Sequence, residues 1–413
     1  MPKNSISVAK LKVKSRLIWA YLIQSTEGIF AFFTTLAFAR ILGPLQIGEI
    51  GRIIAGFSMF FPLIEGGINN YTTRAIAQSE TEYREYFTLA ILSRFLYSLP
   101  LMLCLALILY YIGVLPERRF LVWSASFVYL FSTLYYGTTY CVYSGKLEFK
   151  EWWKLSLIAK TSSFVLATLC AFLTRRISYA YLASSIFIIM WINLIWFRHR
   201  AAIVQQLGRR LFKVVKSSLP FMLWNLSSSI GLHFDSFWLG ITRSAGETGL
   251  YIATYRLYLL SNSVFIGLFV VMFPVLSKQF TSDIAGSHLN AIRVIFVTAC
   301  VSVLIGAILV LKSNDIIYTL FGTAFAEAGP ILKLLGIAVI PTSINRALGN
   351  VLNAFNKEKV TATSAFMASL LNVGLNIWLI PQYGAVAAAW ITIISEFTCM
   401  LLLCVLGRSV LSS

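Results

Sequence analysis

Ten ionisable side chains stand inside long apolar runs of this sequence: Glu27, Arg52, Glu65, Arg94, Lys160, Asp235, Arg256, Lys333, Arg346 and Glu396. A charge at the centre of a bilayer costs about 2.5–3.5 kcal/mol, so such groups line a watery cavity, pair with one another or reach an interface. Arg52, Glu65, Arg94, Lys160 and Lys333 lie near the ends of their runs, where the interfacial reading competes with the cavity reading. Glu27 and Glu396 sit near the middle and have no interface within easy reach. Asp235 and Arg256 lie toward the ends of consecutive runs and are candidates to pair. A cavity rich in Arg and Lys attracts an anionic headgroup such as a diphosphate. The candidate anion-binding residues are therefore Arg52, Arg94, Lys160, Arg256, Lys333 and Arg346. The candidates for carrying a coupling proton or sodium ion are Glu27, Asp235 and Glu396.

Neutral polar residues accompany them. Gln24, Asn225 and Ser228 mark polar positions on two apolar segments, and Asn372 and Asn376 fall in a third. The last two are one helical turn apart and share a face. They are placed to bind sugar hydroxyls, or to hydrogen-bond a neighbouring helix at about 0.6 kcal/mol per contact.

Enzyme chemistry is missing from the pattern. The three aspartates, Asp235, Asp283 and Asp315, are far apart and form no metal motif. There is neither a phosphate-cradling Gly-rich Lys-Ser/Thr loop nor a paired-histidine zinc helix. His233 is two residues from Asp235, and two residues on a helix point to different faces. The six cysteines all fall in apolar segments without ligand spacing and read as packing residues. No catalytic residue, metal site or cofactor is assigned.

The elements that must hold these residues are transmembrane helices. Hydrophobic residues make up 58% of the chain and charged residues 12%, half the share of a soluble domain at about 25%. Apolar runs predict twelve spans, at 17–39, 47–69, 88–112, 119–142, 154–173, 178–197, 218–240, 250–275, 292–311, 331–352, 361–380 and 384–406. The first run is too long for a signal peptide and reads as a retained span. Between spans, Lys and Arg number 21 on the side of the N-terminal tail and 7 on the other. That bias predicts both termini in the cytoplasm. The net charge of +18 is thus a topology signal with an affinity for anionic lipid, and not a nucleic-acid surface.

The domain reading follows. A tail (1–16) leads into a six-helix bundle (17–197), a basic linker (198–217), a second six-helix bundle (218–406) and a C-terminal tail (407–413). A shift of 201 residues lays the first span on the seventh: Gln24 on Asn225, Glu27 on Ser228, Thr34 on Asp235, Gln46 on Glu247 and Gly48 on Gly249. Positions 24, 27 and 34 lie within an arc of about 80°, and so do 225, 228 and 235. The fold class is an all-α integral membrane protein of two pseudo-symmetric bundles.

Four stretches carry a family resemblance. They are ARILGPLQIGEIG at 39–51, DSFWLGITRSAGETGLYIATYRL at 235–257, LFGTAFAEAGPILKLLG at 320–336 running on to NVLNAFNKEK at 350–359, and LNVGLNIWLIPQYGAVAAAW at 371–390 with the Ser395-Glu396 that follows. In their order and spacing they resemble the polysaccharide-biosynthesis branch of the multidrug/oligosaccharidyl-lipid/polysaccharide exporter superfamily, and most of all the O-antigen (Wzx-type) flippases. The resemblance implies alternating access that moves a lipid-linked oligosaccharide, usually on undecaprenyl diphosphate, from the inner to the outer leaflet of the bacterial cytoplasmic membrane. It also implies a glycan polymerase and a chain-length regulator as partners, for O-antigen, capsule or exopolysaccharide synthesis. A multidrug or cation antiporter of the same superfamily is the alternative. A membrane polymerase or acyltransferase would need a water-facing catalytic cluster, which the sequence lacks.

Overall fold

The computed structural model describes residues 3–111, 119–199 and 206–408. Among these every regular element is a helix. The order is α1 (Lys3–Glu65), α2 (Ile68–Gln78), α3 (Tyr83–Ser93), a π-helical turn (Arg94–Ser98), α4 (Leu99–Tyr111), α5 (Arg119–Gly145), α6 (Phe149–Thr174), α7 (Ile177–His199) and α8 (Leu207–Thr242). Then come α9 (Ala245–Ser263), α10 (Ile266–Ser282), α11 (Ile284–Leu311), the short α12 (Ser313–Phe321), a 3-10 turn, α13 (Gly329–Ala354) and α14 (Glu358–Leu406).

Among the described residues, seven helical segments are long and apolar enough to cross a membrane: Ile18–Glu65, Tyr83–Ile108, Phe149–Thr174, Ala245–Phe280, Gly286–Leu311, Thr323–Ala354 and Glu358–Leu406. Two of them carry two expected spans each. In place of a loop between spans one and two, α1 kinks at Gly43 (φ 78°). In place of a loop between the last two, α14 kinks at Gly384 (φ 63°). A single left-handed residue, cheap only for glycine, redirects the chain at each point. The expected spans at 119–142 and 218–240 lie on α5 and α8, which are helical but dotted with Ser, Thr, Asn and His.

Packing groups the chain into two compact units. The first holds the residues up to Ile23 together with Glu49–Ile241. The second holds Gln24–Gly48 together with Thr242 onward. In the first, Trp152 on α6 is 1% exposed, among Tyr136, Tyr140 and Tyr143 of α5 at ring distances of 4.9–5.7 Å. Burying an aromatic ring of this size anchors a helix more firmly than any single polar contact. Arg210, near the start of α8, binds Glu85 of α3, with Glu82 3.8 Å away. The hydrogen bond to Glu85 holds that guanidinium's pKa above its ordinary value.

In the second unit α13 is the central helix, packed against α9, α10, α11 and α14. Leu348, Val351, Leu352 and Phe355 meet Leu276, Ala291 and Leu403 in its core. The bend at Gly43 brings Pro44 and Gly48 onto the start of α9. A Cβ on Gly48 would lie 1.6 Å from the carbonyl oxygen of Ala245, and one on Gly249 would lie 1.9 Å from that of Pro44. Residues 44 and 245, like 48 and 249, are related by the 201-residue shift. The two contacts are therefore one contact made twice, with each glycine against the backbone of the other repeat.

Arg40 closes the same end of this unit. Its guanidinium donates to the carbonyls of Leu320 (2.6 Å) and Thr319, capping the C-terminus of α12. Ser244 caps α9, accepting from the Glu247 N–H at 3.2 Å. In a capping box Glu247 would reach back to the cap residue. Here it binds Arg243 (2.9 Å) and accepts from the Ala385 N–H (2.7 Å), just past the kink in α14.

Candidate functional site

In the first unit the polar centre forms where α1 ends. Gly66 and Gly67 both have left-handed φ, and helix resumes at Ile68. A new helix start exposes backbone N–H groups. Glu65 meets them, accepting from the N–H of Gly67 (2.9 Å) and of Asn69 (2.5 Å). Arg94, at the head of the π-helical turn, answers that charge. Its Nη1 donates to the Glu65 carbonyl (2.7 Å), and its Nη2 to Glu65 Oε1 (3.3 Å) and Asn69 Oδ1 (2.6 Å). Its Nε donates to the Thr138 hydroxyl of α5 (3.0 Å). Arg94 is 3% exposed and Glu65 5%. Each guanidinium nitrogen already has an acceptor inside the protein.

The other expected residues of this unit are less tightly held. Arg52 is half-buried on α1 and presses against Gly240 of α8, where an added Cβ would lie 2.3 Å from its own. Its Nε has no hydrogen-bond partner among the described residues. The Lys160 ammonium sits 4.7 Å from the Tyr136 ring centre, a cation–π contact. Asn225 is half-buried on α8. The side chain of Ser228 lies outside the described ones. Asp235 is buried and accepts from the Ser236 N–H at 2.5 Å.

In the second unit a different arrangement surrounds Glu396 on α14. Asn345 of α13 donates Nδ2 to Glu396 Oε2 (2.7 Å) and to the Glu396 carbonyl (2.8 Å). Thr342 and Arg346, on the same helix, also act on the carboxylate. A second layer continues from there. The Tyr258 hydroxyl of α9 meets that of Thr342 at 2.7 Å, and Ser343 donates to Asn262 Oδ1 at 3.1 Å. Arg346 is exposed and makes one long hydrogen bond, 3.4 Å, to the Asn262 carbonyl. Asn345 is buried, and its Oδ1 has no partner among the described residues.

One turn toward the kink, Asn376 donates to Asn372 Oδ1 (2.7 Å), and Asn372 donates to the Ser395 hydroxyl (3.0 Å). These amides join the two arms of α14. Of the remaining expected residues, Gln24 and Lys333 are exposed, while Glu27 and Arg256 are half-buried.

The residues that sequence reasoning passed over are the neutral partners: Asn69, Thr138, Tyr258, Asn262, Thr342 and Asn345. Two signals pointed to some of them. Asn345 precedes Arg346 directly, and Tyr258 and Asn262 are one turn apart.

Comparison with known proteins fixes the family. The family model described as "Polysaccharide biosynthesis protein" matches residues 13–280, more than half the chain. This chain belongs to that family. A second model of the same superfamily of exporters, "Lipid II flippase MurJ", matches residues 176–411 of this chain. A "Probable low-salt glycan biosynthesis flippase Agl15" of Haloferax volcanii is 26% identical over 190 residues, covering 45% of this chain and 40% of that protein. The "Uncharacterized membrane protein MJ1068" of Methanocaldococcus jannaschii is 24% identical over 31% of this chain and 25% of its own. The chain thus spans two fifths or less of these curated relatives. Among solved structures, a lipid II flippase MurJ in an inward closed conformation matches with TM-score 0.72 at 16% identity, covering 95% of this chain and 87% of that one. An inward-facing multidrug resistance MATE family transporter matches with TM-score 0.66 at 14% identity, covering 92% and 94%. At these identities the likeness establishes the fold.

Proposed function

We propose that this family member is a flippase, not an enzyme. Its substrate is a lipid-linked oligosaccharide, carried by alternating access from the inner to the outer leaflet of a bacterial cytoplasmic membrane. In this reading the helices make twelve spans with both termini inside, and the lipid carrier is undecaprenyl diphosphate. A glycan polymerase and a chain-length regulator receive the product, for O-antigen, capsule or exopolysaccharide. The family match supports the class, and the probable glycan flippase among the relatives supports the substrate type.

The observation that carries the charge of the substrate is Arg346: a guanidinium on an apolar helix, exposed, with one long hydrogen bond. Arg52, Arg256 and Lys333 form no salt bridge among the described residues and extend the cationic set. Cations in this number repel a cationic drug and attract a diphosphate. Arg94, saturated by internal acceptors, supports the helices that present the others. Transport draws on a proton or sodium gradient, with Glu27, Asp235 or Glu396 as the carrier, and Asn225 borders the sugar path, while Asn372 and Asn376 stay buried in the hydrogen bonds that join the arms of α14.

Complementation tests this reading. In a strain lacking its own flippase, the wild-type chain restores surface glycan and clears the lipid-linked repeat unit from the inner leaflet, while Arg346→Gln restores about a tenth as much. An intact surface glycan in a knockout, together with efflux of cationic drugs, supports the antiporter instead.

A further inference from the structure

The anionic-ligand reading of Arg346 leaves Glu396 to be explained. A carboxylate next to the exposed guanidinium is an odd companion for an anion site, because it repels the ligand that Arg346 attracts. Its surroundings are unusual in a second way. Asn345 holds the carboxylate through Nδ2 and keeps Oδ1 buried and unpaired. A side-chain amide serves either form of a carboxyl neighbour: Nδ2 donates to the carboxylate, and Oδ1 accepts from the carboxylic acid after half a turn of the amide. The residue beside Glu396 is therefore suited to both of its charge states, and the orphaned acceptor is the half not in use.

The remaining neighbours do not neutralise Glu396 in another way. From α13 it is faced by Arg346 and the neutral Thr342, and on its own helix Cys399 lies within electrostatic range. On α9 the titratable group nearest this network is the Tyr258 hydroxyl, tied to Thr342. Arg256 lies about 160° around α9 from Tyr258. Among the described residues Arg346 is thus the one cation that acts on the carboxylate, and it stays exposed while doing so.

We propose that Glu396 is a resident anion that competes with the ligand's phosphate for Arg346. As a carboxylate it occupies the field of the guanidinium and weakens anion binding. Once neutral, held by Asn345, it releases Arg346 to the ligand. Anion and proton then bind to this site together, so Glu396 sets the affinity of the site, and an inward-moving coupling ion falls to Glu27 or Asp235. This rests on the reading of Arg346 as an anion site, and it adds a control to that site which the reading does not require.

The test uses the full chain in detergent and geranyl diphosphate as probe, with affinity read by calorimetry across a pH series. Wild-type protein binds more tightly as pH falls. Glu396→Gln, whose amide oxygen still accepts from Asn345, binds about tenfold tighter than wild type at the alkaline end. Its residual pH dependence is that of the ligand alone. Arg346→Gln binds about tenfold more weakly than wild type, and adding Glu396→Gln to it recovers little, because the two residues act on each other. Unchanged affinity in Glu396→Gln, or its full gain in the Arg346→Gln background, overturns the competition and leaves the anion site standing. No binding by wild type at any pH overturns the anion reading and the competition with it. Thermal unfolding of each variant separates these outcomes from loss of fold.

Discussion

Each packing unit places one glutamate beside one arginine and one asparagine, and the two trios are wired in opposite ways. In the first unit Glu65 accepts from two backbone N–H groups and from Arg94, while Asn69 accepts from the same guanidinium. Every guanidinium nitrogen and both carboxylate oxygens there have found a partner, with Arg94 and Glu65 buried. In the second unit Asn345 donates to Glu396, its own oxygen is unmatched, and Arg346 is exposed. A buried ion pair is costly to desolvate and persists only when its geometry is saturated. The first trio meets that condition and fixes the angle between α1 and α2. The second fails it, and an unsaturated polar group in an apolar helix bundle is where a ligand gains most by binding. The same three residue types thus make a joint in one place and, in the proposed function, a receptor in the other.

The largest effect that could break this contrast is Arg94→Ala. It leaves Glu65 buried without its cation and should cost about 3–5 kcal/mol, seen as a collapse of thermal stability and of folded yield in detergent. Stability near wild type would mean that the first trio is no joint. Gly48→Ala and Gly249→Ala come next, at about 1–3 kcal/mol each, because each new methyl meets a backbone carbonyl rather than a flexible side chain. The two losses should be similar, since the contact is the same one. Asn376→Ala should cost about 0.6 kcal/mol, as an interhelical amide in a membrane does. Arg346→Gln is the sharpest comparison with Arg94→Ala: a stability change within about 0.5 kcal/mol, as for other exposed changes, but transport largely lost. Lys154→Ala, which breaks an exposed pair with Glu151 of 3.3 Å, should do least, under about 0.5 kcal/mol with transport intact.

Much of this was legible in the sequence. Apolar runs marked the helices and the breaks between them, since both depend on local chemistry. Gly43 precedes Pro44, and Gly384 follows Pro381 by three residues. The intramembrane charges were equally visible. Their partners were not. Arg94 and Arg346 look alike as an arginine in an apolar run. What separates them is a carboxylate 29 residues away in one case and 50 in the other, met across packed helices. Neutral partners were harder still, because a Thr138 or an Asn345 in an apolar segment reads as a packing residue until something charged is seen against it. The kinks shortened the loops for a similar reason: one left-handed glycine does the work of several turn residues, and sequence spacing cannot say how few are needed.

The doubled glycine contact has a consequence for how the chain can vary. Two helical segments separated by 201 residues each present backbone where the other has no side chain. Such a surface is self-complementary, like the patch at a two-fold interface between identical subunits. Neither segment can change its backbone path alone, because each is the surface against which the other is shaped. A bulkier residue at 48 or at 249 meets the opposite segment, and a paired change that moves both would be accepted more readily. Inside the second unit the two segments meet as a pair of subunits would.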